Sequence, residues 1–222
     1  MKTLKEQTEA KVAGGRKAKP EFMGMVDKLL AQQAEFKKGE NALKLDQQAP
    51  GFVLPNQKGE SISLADLLAK GPVVVTFYRG SWCPYCNLQL RALQARLSEL
   101  HDLGAQLVAI SPEVPDGSLD TDAIDNMAFN VLSDQDSKVA TQYGVAWEVP
   151  EFFLEHMKVD RDLDLNAINN IAKDSEESST ILPIPATFVI DTDGTVTWRY
   201  VDVDYRTRSE PEDIIVALKK LV

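Results

Sequence analysis

The sequence has few residues that could bind a metal and no segment suited to a membrane. Its 222 residues include two cysteines and two histidines, and the histidines lack the spacing of metal ligands. No apolar run is long enough to span a bilayer, and the first residues lack the apolar core of a signal peptide. We therefore expect no metal, no cofactor and no membrane partner. Without an export signal, a single C-x-x-C pair predicts a protein of the reducing cytoplasm.

Positive charge is also scarce in the chain. There are 24 lysines and arginines against 34 aspartates and glutamates, so the formal net charge is −10. A chain of this charge repels nucleic-acid phosphates, and we expect no nucleic-acid partner. The hydrophobic content of 44% is ordinary for a globular protein, and the length predicts one large domain with extensions.

Both cysteines lie in the stretch around which the other elements are arranged. The β-branched and aromatic residues of Val73–Tyr78 predict a buried strand, which Gly80 and Ser81 end. After the cysteines, leucines recur at the three- and four-residue spacing of one helix face. These leucines are Leu90, Leu93, Leu97 and Leu100.

Cys83 falls at the point where the predicted strand gives way to the helix. Pro84 suits the first helical turn, so Cys83 is expected beside unpaired N–H groups and the positive end of the helix dipole. This position favours the thiolate form of Cys83. Cys86 lies three residues further on, on the same helix face and within reach of a disulfide. The residues predict a redox pair in which Cys83 attacks; inert buried thiols and half of a zinc site are the alternatives.

Residues 1–42 are predicted to form a helical extension. Residues 1–19 are polar and basic, and the run Gly14–Lys19 predicts a hinge. From Pro20 onwards, apolar residues recur at helical spacing, which predicts an amphipathic helix to about Lys38. Its apolar stripe could pack on the same domain or on a second subunit.

Residues 43–222 are predicted to form one α/β domain with a central mixed sheet flanked by helices. The strand–helix–strand order over residues 73–111 predicts parallel strands with a right-handed crossover, and residues 187–201 predict an antiparallel hairpin beside them. Residues 146–180 predict a helical insertion that either covers the core or shapes a lid or interface. The other predicted elements are a hairpin over 48–62, a helix capped by Ser63, helices near 120–127 and over 137–143, a strand at 130–132, and a C-terminal helix in which Ser209 and Glu212 form a capping box around Pro211.

Several stretches resemble the peroxiredoxins, in particular the alkyl hydroperoxide reductase/thiol-specific antioxidant branch of the thioredoxin-fold superfamily, over about residues 43–221. These stretches are Ala49–Pro55, Phe77–Cys86, Leu107–Ser111, Leu132–Asp134 and Thr187–Asp191 with its Asp193–Gly194 turn. The resemblance implies a thioredoxin-like fold and reduction of hydrogen peroxide or alkyl hydroperoxides. It implies that Cys83 becomes a sulfenic acid and that Cys86 resolves it to a disulfide. Thioredoxin, glutaredoxin or glutathione is then the expected reductant, and a homodimer is expected because relatives often pair.

The sequence departs from the family motif at three positions. Gly80 stands where the family has a threonine or serine that binds peroxide, and Ser81 is the candidate substitute. Thr76 replaces the motif's proline, and Pro185 replaces an arginine. Arg79 is the nearest candidate for stabilising the thiolate, although a loop arginine is equally well explained as an exposed surface charge.

Two further features favour an alternative function. The segment Trp82–Cys86 joins the Trp-Cys start of thioredoxins to the Pro-Tyr interior of glutaredoxins. Pro185 resembles the cis-proline of the thioredoxin docking loop, which implies a cis Ile184–Pro185 bond. A thiol–disulfide oxidoreductase is therefore the alternative enzyme, and a redox sensor or scaffold is the non-enzymatic one. The predicted supporting residues are Arg79, Gly80, Ser81, Trp82 and Pro185.

Overall fold

The computed structural model describes residues 2–35, 39–113, 127–168 and 180–221. Its helices are α1 Leu4–Ala18, α2 Pro20–Glu35, α3 Leu64–Leu68, α4 Pro84–Ala95, α5 Leu97–Asp102, α6 Lys138–Gln142, α7 Glu151–Arg161, α8 Leu165–Ile168 and α9 Pro211–Leu218. Its strands are β1 Val53–Pro55, β2 Ser61–Ser63, β3 Val73–Phe77, β4 Gln106–Ser111, β5 Asn130–Ser133, β6 Ala146–Glu148, β7 Ile181–Pro183, β8 Ala186–Ile190 and β9 Val196–Val201. Within these ranges, no helix has the length and apolarity needed to cross a bilayer.

A mixed five-stranded sheet forms the centre of the fold, in the order β5-β4-β3-β8-β9. Strand β3 is parallel to β4, and β4 is parallel to β5. Strand β8 runs antiparallel to both β3 and β9. Every residue of β3 and β8 is buried, as expected for continuous apolar runs covered on both faces. The predicted thioredoxin-like α/β fold is confirmed.

Two helices, rather than one, follow the cysteines. Helix α4 ends at Ala95, and α5 begins at Leu97 after a break at Arg96. The four leucines that predicted a single helix face are nevertheless all buried. Their shared burial anchors the segment that carries the thiols against the sheet.

The smaller predicted elements agree with the structure where it describes them. Strands β1 and β2 pair as the predicted hairpin, and the Ser63 side chain caps α3 by accepting the N–H of Asp66 at 3.0 Å. Strand β5 and helix α6 lie at the predicted positions. The helix predicted near residues 120–127 falls, except for its last residue, outside the described residues, as do residues 36–38 of the helix predicted to end at Lys38.

The predicted hinge at Gly14–Lys19 is wrong, because all but the last of these residues belong to helix α1. The helix begins with a capping box, in which Thr3 and Glu6 exchange hydrogen bonds. Glu210 adds a second cap by accepting the N–H of Leu4 at 3.0 Å and of Lys5 at 2.7 Å. These caps, together with packing against α2 and α4, offset the low helix propensity of the two internal glycines.

The apolar stripe of α2 packs on its own chain. Val26 and Leu29 are fully buried, and α2 contacts both α1 and α7. The Phe22 ring stacks on His156 of α7, with ring centroids 5.2 Å apart. Of the two alternatives for this stripe, the structure therefore shows packing within the chain.

The segment 146–180 is not purely helical. It opens with β6, which pairs antiparallel with β7 just beyond the segment's end. Helices α7 and α8 follow β6, and Phe153 and Met157 of α7 are buried. The two-stranded pairing brings both ends of the segment together and holds α7 beside α2.

The predicted capping box of the C-terminal helix is wrong. Helix α9 begins at Pro211, its N-cap residue is Glu210, and the Glu210 side chain does not cap it. The Ser209 hydroxyl instead hydrogen-bonds to Thr187 of β8 at 3.1 Å. The Glu210 carboxylate caps α1 instead. Residues 209 and 210 thus link β8 of the sheet to the N-terminal helix.

Candidate active site

Cys83 is the N-cap residue of α4, as its position before Pro84 predicts. Its backbone is extended, with φ −90° and ψ 110°, and its carbonyl accepts the Asn87 N–H at 3.1 Å. Its own N–H donates to the Gly80 carbonyl at 3.1 Å, which closes a tight loop after β3. The loop of residues 78–83, called the thiol loop below, thus delivers the Cys83 sulfur to the N-terminus of a twelve-residue helix.

The two thiols are reduced and differ sharply in acidity. Cys83 is 1% exposed and Cys86 is 0% exposed. Burial opposes ionisation of Cys83, but a hydrogen bond from Cys86 and the charges of Arg79 and Arg208 outweigh it, so the pKa of Cys83 falls well below its ordinary value. Burial, together with the hydrogen bond to Cys83 and its negative charge, raises the pKa of Cys86. The site therefore favours a thiolate at Cys83 beside a protonated thiol at Cys86.

Arg79 is buried rather than an exposed loop charge, so the surface-charge alternative is wrong. It is 2% exposed, and its guanidinium lies 3.9 Å from the ring centroid of Tyr205 and 4.9 Å from that of Trp82. Phe153 of α7 adds a third ring at 5.8 Å. Cation–π attraction from these rings offsets part of the cost of burying the charge. The Nε and Nη2 atoms make no hydrogen bond to any described residue.

The backbone at Gly80 disfavours the hydroxyl residue of the family motif. Its φ is +142°, a conformation that L side chains rarely adopt. A Cβ built there would lie 2.3 Å from Nε1 of Trp82. That indole N–H is itself buried, with no partner among the described residues. An unused indole donor therefore lies against the position where the motif's side chain would begin.

Ser81 does not substitute for that missing hydroxyl, because its own hydroxyl is already engaged. It donates to one carboxylate oxygen of Glu113 at 2.5 Å, and the Ser81 N–H donates to the other at 2.6 Å. The Ser81 carbonyl accepts from the Asn87 side chain at 2.7 Å. Ser81 thus fixes the shape of the thiol loop. Glu113, which sequence reasoning missed, lies two residues beyond β4, and its proximity follows from the parallel pairing of β3 with β4.

Pro185 lies between β7 and β8, and its bond to Ile184 is trans, so the predicted cis bond is wrong. Because Ala186 pairs with Phe77, Pro185 lies at the edge of the sheet from which the thiol loop leaves. It is buried, and its carbonyl accepts the Asp202 N–H at 3.4 Å. Pro185 is not among the residues that line the cavity above Cys83.

Two site residues that sequence reasoning missed come from the segment after β9. The Nη2 group of Arg208 donates to the Cys86 sulfur at 3.1 Å, while Nη1 donates to the Thr207 carbonyl at 2.5 Å. Tyr205 contacts the Arg79 guanidinium and packs edge-on against Tyr85, with ring centroids 5.9 Å apart. No local pattern marks these residues. Their place follows from the sheet, because β9 lies next to β8, and β8 lies next to β3.

A cavity of about 350 Å³ lies above Cys83. Three helices, α1, α2 and α7, form much of its wall, and we call them the cover. The thiol-loop side contributes Arg79, Trp82, Cys83, Pro84 and Tyr85, the cover contributes residues such as Gly14, Phe22, Met23 and Met157, and Tyr205 completes the wall. The volume falls within the range of pockets that bind small organic molecules, about 300–1,000 Å³.

Comparison with known proteins agrees with this geometry. Residues 45–199 match the model of the AhpC/TSA family. A protein named "Putative peroxiredoxin bcp" from Haemophilus influenzae is 37% identical over 112 residues, covering 50% of this chain and 71% of that protein. "Peroxiredoxin Bcp" from Escherichia coli K12 is 34% identical over 105 residues, covering 47% of this chain and 67% of that protein.

Solved structures show the same fold. The peroxidoxin BcpB of Mycobacterium tuberculosis superposes with a TM-score of 0.60 at 22% identity, covering 81% of this chain and 99% of that one. The structure of a cysteine-to-serine mutant of the peroxiredoxin 6 of Arenicola marina has a TM-score of 0.60 at 14% identity, covering 81% of this chain and 74% of that one. The family match begins after α1 and α2 and ends before Tyr205 and Arg208. The thiol loop, the cysteine helix and all of the sheet except the last two residues of β9 lie inside that match, so the chain belongs to the AhpC/TSA family.

Proposed function

We propose that the protein reduces peroxides with the thiolate of Cys83. The observation that carries this proposal is that a stabilised thiolate lies near buried N–H groups that make no hydrogen bond to any described residue. Arg79 offers Nε and Nη2, and Trp82 offers its indole N–H, on the same side of the thiol loop as the cavity. Negative charge develops on the leaving oxygen when an O–O bond breaks, and preorganised donors of this kind stabilise it.

The first step forms one sulfur–oxygen bond and breaks one oxygen–oxygen bond. The Cys83 thiolate attacks the nearer oxygen of the hydroperoxide, and the other oxygen leaves with the electron pair of the O–O bond. The departing alkoxide or hydroxide leaves as an alcohol or water after taking a proton, and Cys83 is left as a sulfenic acid. Arg79 takes the role that the family assigns to the hydroxyl missing at Gly80.

The second step joins the two cysteines. The Cys86 sulfur attacks the sulfenic sulfur, a disulfide forms, and the sulfenic oxygen leaves as water. Cys86 lies close enough to Cys83 to lower its pKa, so the two sulfurs are already neighbours before the disulfide forms. Arg208 contacts the Cys86 sulfur and favours its ionisation at this stage. Two thiol equivalents from thioredoxin, glutaredoxin or glutathione then restore both thiols.

The adjacent thiols also suit thiol–disulfide exchange, which is the alternative activity. That reaction needs a partner's sulfur to reach Cys83 in line with the disulfide bond. Cys83 is almost wholly buried at the base of a cavity walled by α1, α2 and α7. A protein disulfide could approach only if the cover moved. A peroxide needs only the cavity above Cys83, so the geometry supports peroxide reduction more strongly. Recycling by a folded reductant such as thioredoxin requires the cover to open.

Rapid mixing of the reduced protein with hydrogen peroxide, followed by tryptophan fluorescence, tests the proposal. Trp82 lies in the thiol loop, so we expect a signal change as Cys83 is oxidised, faster than for a free thiolate of matched pKa. A Cys86→Ser variant should keep this first phase and accumulate a sulfenic acid that a dimedone-type trap captures. Oxidation no faster than the free thiolate, together with efficient reduction of protein disulfides, would favour the alternative.

Three further proposals accompany this function. Residues 1–42 form a helical extension to a domain spanning 43–222, with 146–180 as an insertion. A homodimer is proposed because members of the family often pair, and a cytoplasmic location is proposed because a C-x-x-C pair of thiols suits a reducing compartment. Light scattering at micromolar concentrations, and fractionation of cells that express the full chain, would test the last two.

A further inference from the structure

We propose that the cavity above Cys83 selects organic hydroperoxides that carry a carboxylate, and that helix α1 supplies a selective wall. This inference rests on the proposed peroxidase function and names its substrate class. It depends on three features of the cavity: its apolar lining, the sign of its charges, and the small side chains that α1 presents to it.

The lining of the cavity is largely apolar and aromatic. Phe22 and Met23 of α2 and Phe153 and Met157 of α7 face Tyr205 across the space above the thiolate. Such walls bind a hydrocarbon or an aryl group by removing it from water. Hydrogen peroxide gains nothing from these contacts, whereas an organic hydroperoxide does.

The charges around the cavity are all positive, in a chain whose formal charge is −10. Lys11, Lys19 and Arg161 line it in addition to Arg79, and no aspartate or glutamate of the described residues does so. Arg161 lies over the Phe22 ring at 5.6 Å, which fixes a cation beside an apolar wall.

The acidic residue beside this cluster is already committed elsewhere. Lys19 donates to the backbone carbonyl of Asp160 at 2.9 Å, while the Asp160 carboxylate pairs with His156 at 2.7 Å. The Asp160 carboxylate is therefore engaged by His156, while the residues that line the cavity keep their positive charge, and cations of this kind raise the local concentration of anionic ligands.

Helix α1 leaves space for such a ligand. It presents Ala10, Gly14 and Ala18 to the cavity, all of them small. A Cβ added at Gly14 would meet no atom within 4 Å, so this position borders open space. Because α1 lies outside the residues that match the family, selection at this wall is a property of this chain's own extension.

A matched pair of substrates tests the role of charge. We would compare cumene hydroperoxide with its para-carboxylate, following oxidation of Cys83 by stopped-flow fluorescence with hydrogen peroxide as reference. We expect the carboxylate to react about tenfold faster than cumene hydroperoxide, equivalent to about 1.4 kcal/mol. The ratio should fall in high salt, which screens exposed charges. Equal rates for the pair would overturn the inference, whereas failure of all three peroxides would overturn the proposed function instead.

Variants of the basic residues sharpen this test. In Lys11→Gln and Arg161→Gln, we expect the ratio of the two aryl hydroperoxide rates to move towards one. The matched control is Lys17→Gln, because Lys17 is exposed on the same helix but does not line the cavity. A ratio that stays high in both cavity variants, or that falls equally in the control, would count against recognition by these cations.

Binding can be measured without any peroxide chemistry. In Cys83→Ser, tryptophan fluorescence should report saturable binding of 4-isopropylbenzoate, weakened by Arg161→Gln and by Gly14→Leu, which fills the cavity. In the otherwise wild-type chain, Gly14→Leu should lower the rate with the carboxylated hydroperoxide relative to the rate with hydrogen peroxide. If no variant changes binding, or if isopropylbenzene competes as well as the benzoate, the carboxylate is not recognised. Because this assay needs no reaction, it separates the inference from the proposed function.

Discussion

The sheet that carries the thiols and the helices that cover them are stabilised in different ways. Strands β3 and β8 are wholly buried and paired along their whole length, so their position is fixed by apolar packing and backbone hydrogen bonds. Helix α1 is mostly exposed, and its ends are held by polar links to Glu210 and Asp27. We infer from this comparison that the two regions have different roles. The sheet and the thiol loop determine the reactivity of Cys83, and the cover determines which molecules reach it.

The two regions also differ in how they relate to known proteins. The thiol loop, α4 and all of the sheet except the last two residues of β9 lie inside the AhpC/TSA match, whereas α1 and α2 lie outside it. We therefore expect changes in the thiol loop to alter the rate at which Cys83 reacts. Changes in the cover should alter which peroxides are selected and how readily the cover opens. The predictions below test that division in order of decreasing effect.

Replacing Cys83 by serine should abolish peroxide reduction. A serine hydroxyl does not form an anion at neutral pH, and oxygen cannot follow the sulfenic acid route. The measurement is peroxide consumption in the presence of a thiol reductant. The contrasting variant is Cys86→Ser, which should lose turnover but complete one rapid oxidation. If the two variants behaved alike in the single-turnover assay, the distinct roles of the two thiols would be contradicted.

Replacing Arg79 by methionine should slow oxidation of Cys83 by about 10²–10³-fold, the usual effect of losing one donor to a developing oxyanion. Loss of the charge also raises the pKa of Cys83, so part of the deficit should disappear as the pH rises and the thiolate returns. The rate at several pH values, with thiolate absorbance measured in parallel, separates the two effects. Arg91→Gln, an exposed change on α4, is the control and should leave the rate unaltered.

Introducing the motif's hydroxyl through Gly80→Thr should destabilise the protein by about 1–3 kcal/mol, the cost of a strained backbone conformation. It should also displace Trp82, because the new Cβ would lie 2.3 Å from the indole nitrogen. Urea unfolding and tryptophan emission report the two effects. Gly24→Ala in α2 is the control, since its Cβ meets no atom within 4 Å, and helix propensity predicts a gain of up to about 1 kcal/mol. An unstrained, fully active Gly80→Thr would show that the loop can adopt the family geometry.

The smallest expected effect comes from loosening the cover. A hydrogen bond from Arg16, assisted by Arg206, holds the pKa of Asp27 below its usual value. A carboxyl whose pKa is lowered on folding stabilises the protein above its unfolded pKa, and this contribution is lost as the pH falls through the lowered value. Because Asp27 is partly exposed, Asp27→Asn should cost only about 0.5 kcal/mol at neutral pH. The difference from wild type should vanish in acid, and amide exchange should rise in α1 but not in β3.

Much of the sheet side could be predicted from the sequence, because its signals are local. A run of β-branched residues forms β3, and proline after Cys83 starts a helix; neither depends on distant residues. The burial of Arg79 could not be predicted in this way, because Tyr205 and Phe153 come from elements far along the chain. The same holds for Arg208, which reaches Cys86 only once β9 is in place.

The errors at the two terminal helices, α1 and α9, have a similar cause. Gly14 and Gly15 resemble a hinge when propensity alone is considered, yet packing and the Glu210 cap keep α1 helical through both residues. Ser209 and Glu212 resemble a capping box, but the Ser209 hydroxyl bonds to Thr187 instead. In both cases a long-range contact outweighs a local preference, and no pattern in the local sequence reveals that contact.

The cap that Glu210 places on α1 has a consequence for the order of events during synthesis. Glu210 binds N–H groups of residues that lie 206 and 205 positions earlier in the chain. At about 5–20 residues per second, a ribosome needs roughly 10–40 seconds to deliver that partner after α1 has emerged. The sheet and both cysteines are translated before Glu210, and Arg208, which helps to lower the pKa of Cys83, only just before it. The activated thiolate and the capped α1 wall are thus expected to appear almost together, at the end of synthesis, so that an unselective reactive thiol is exposed only briefly.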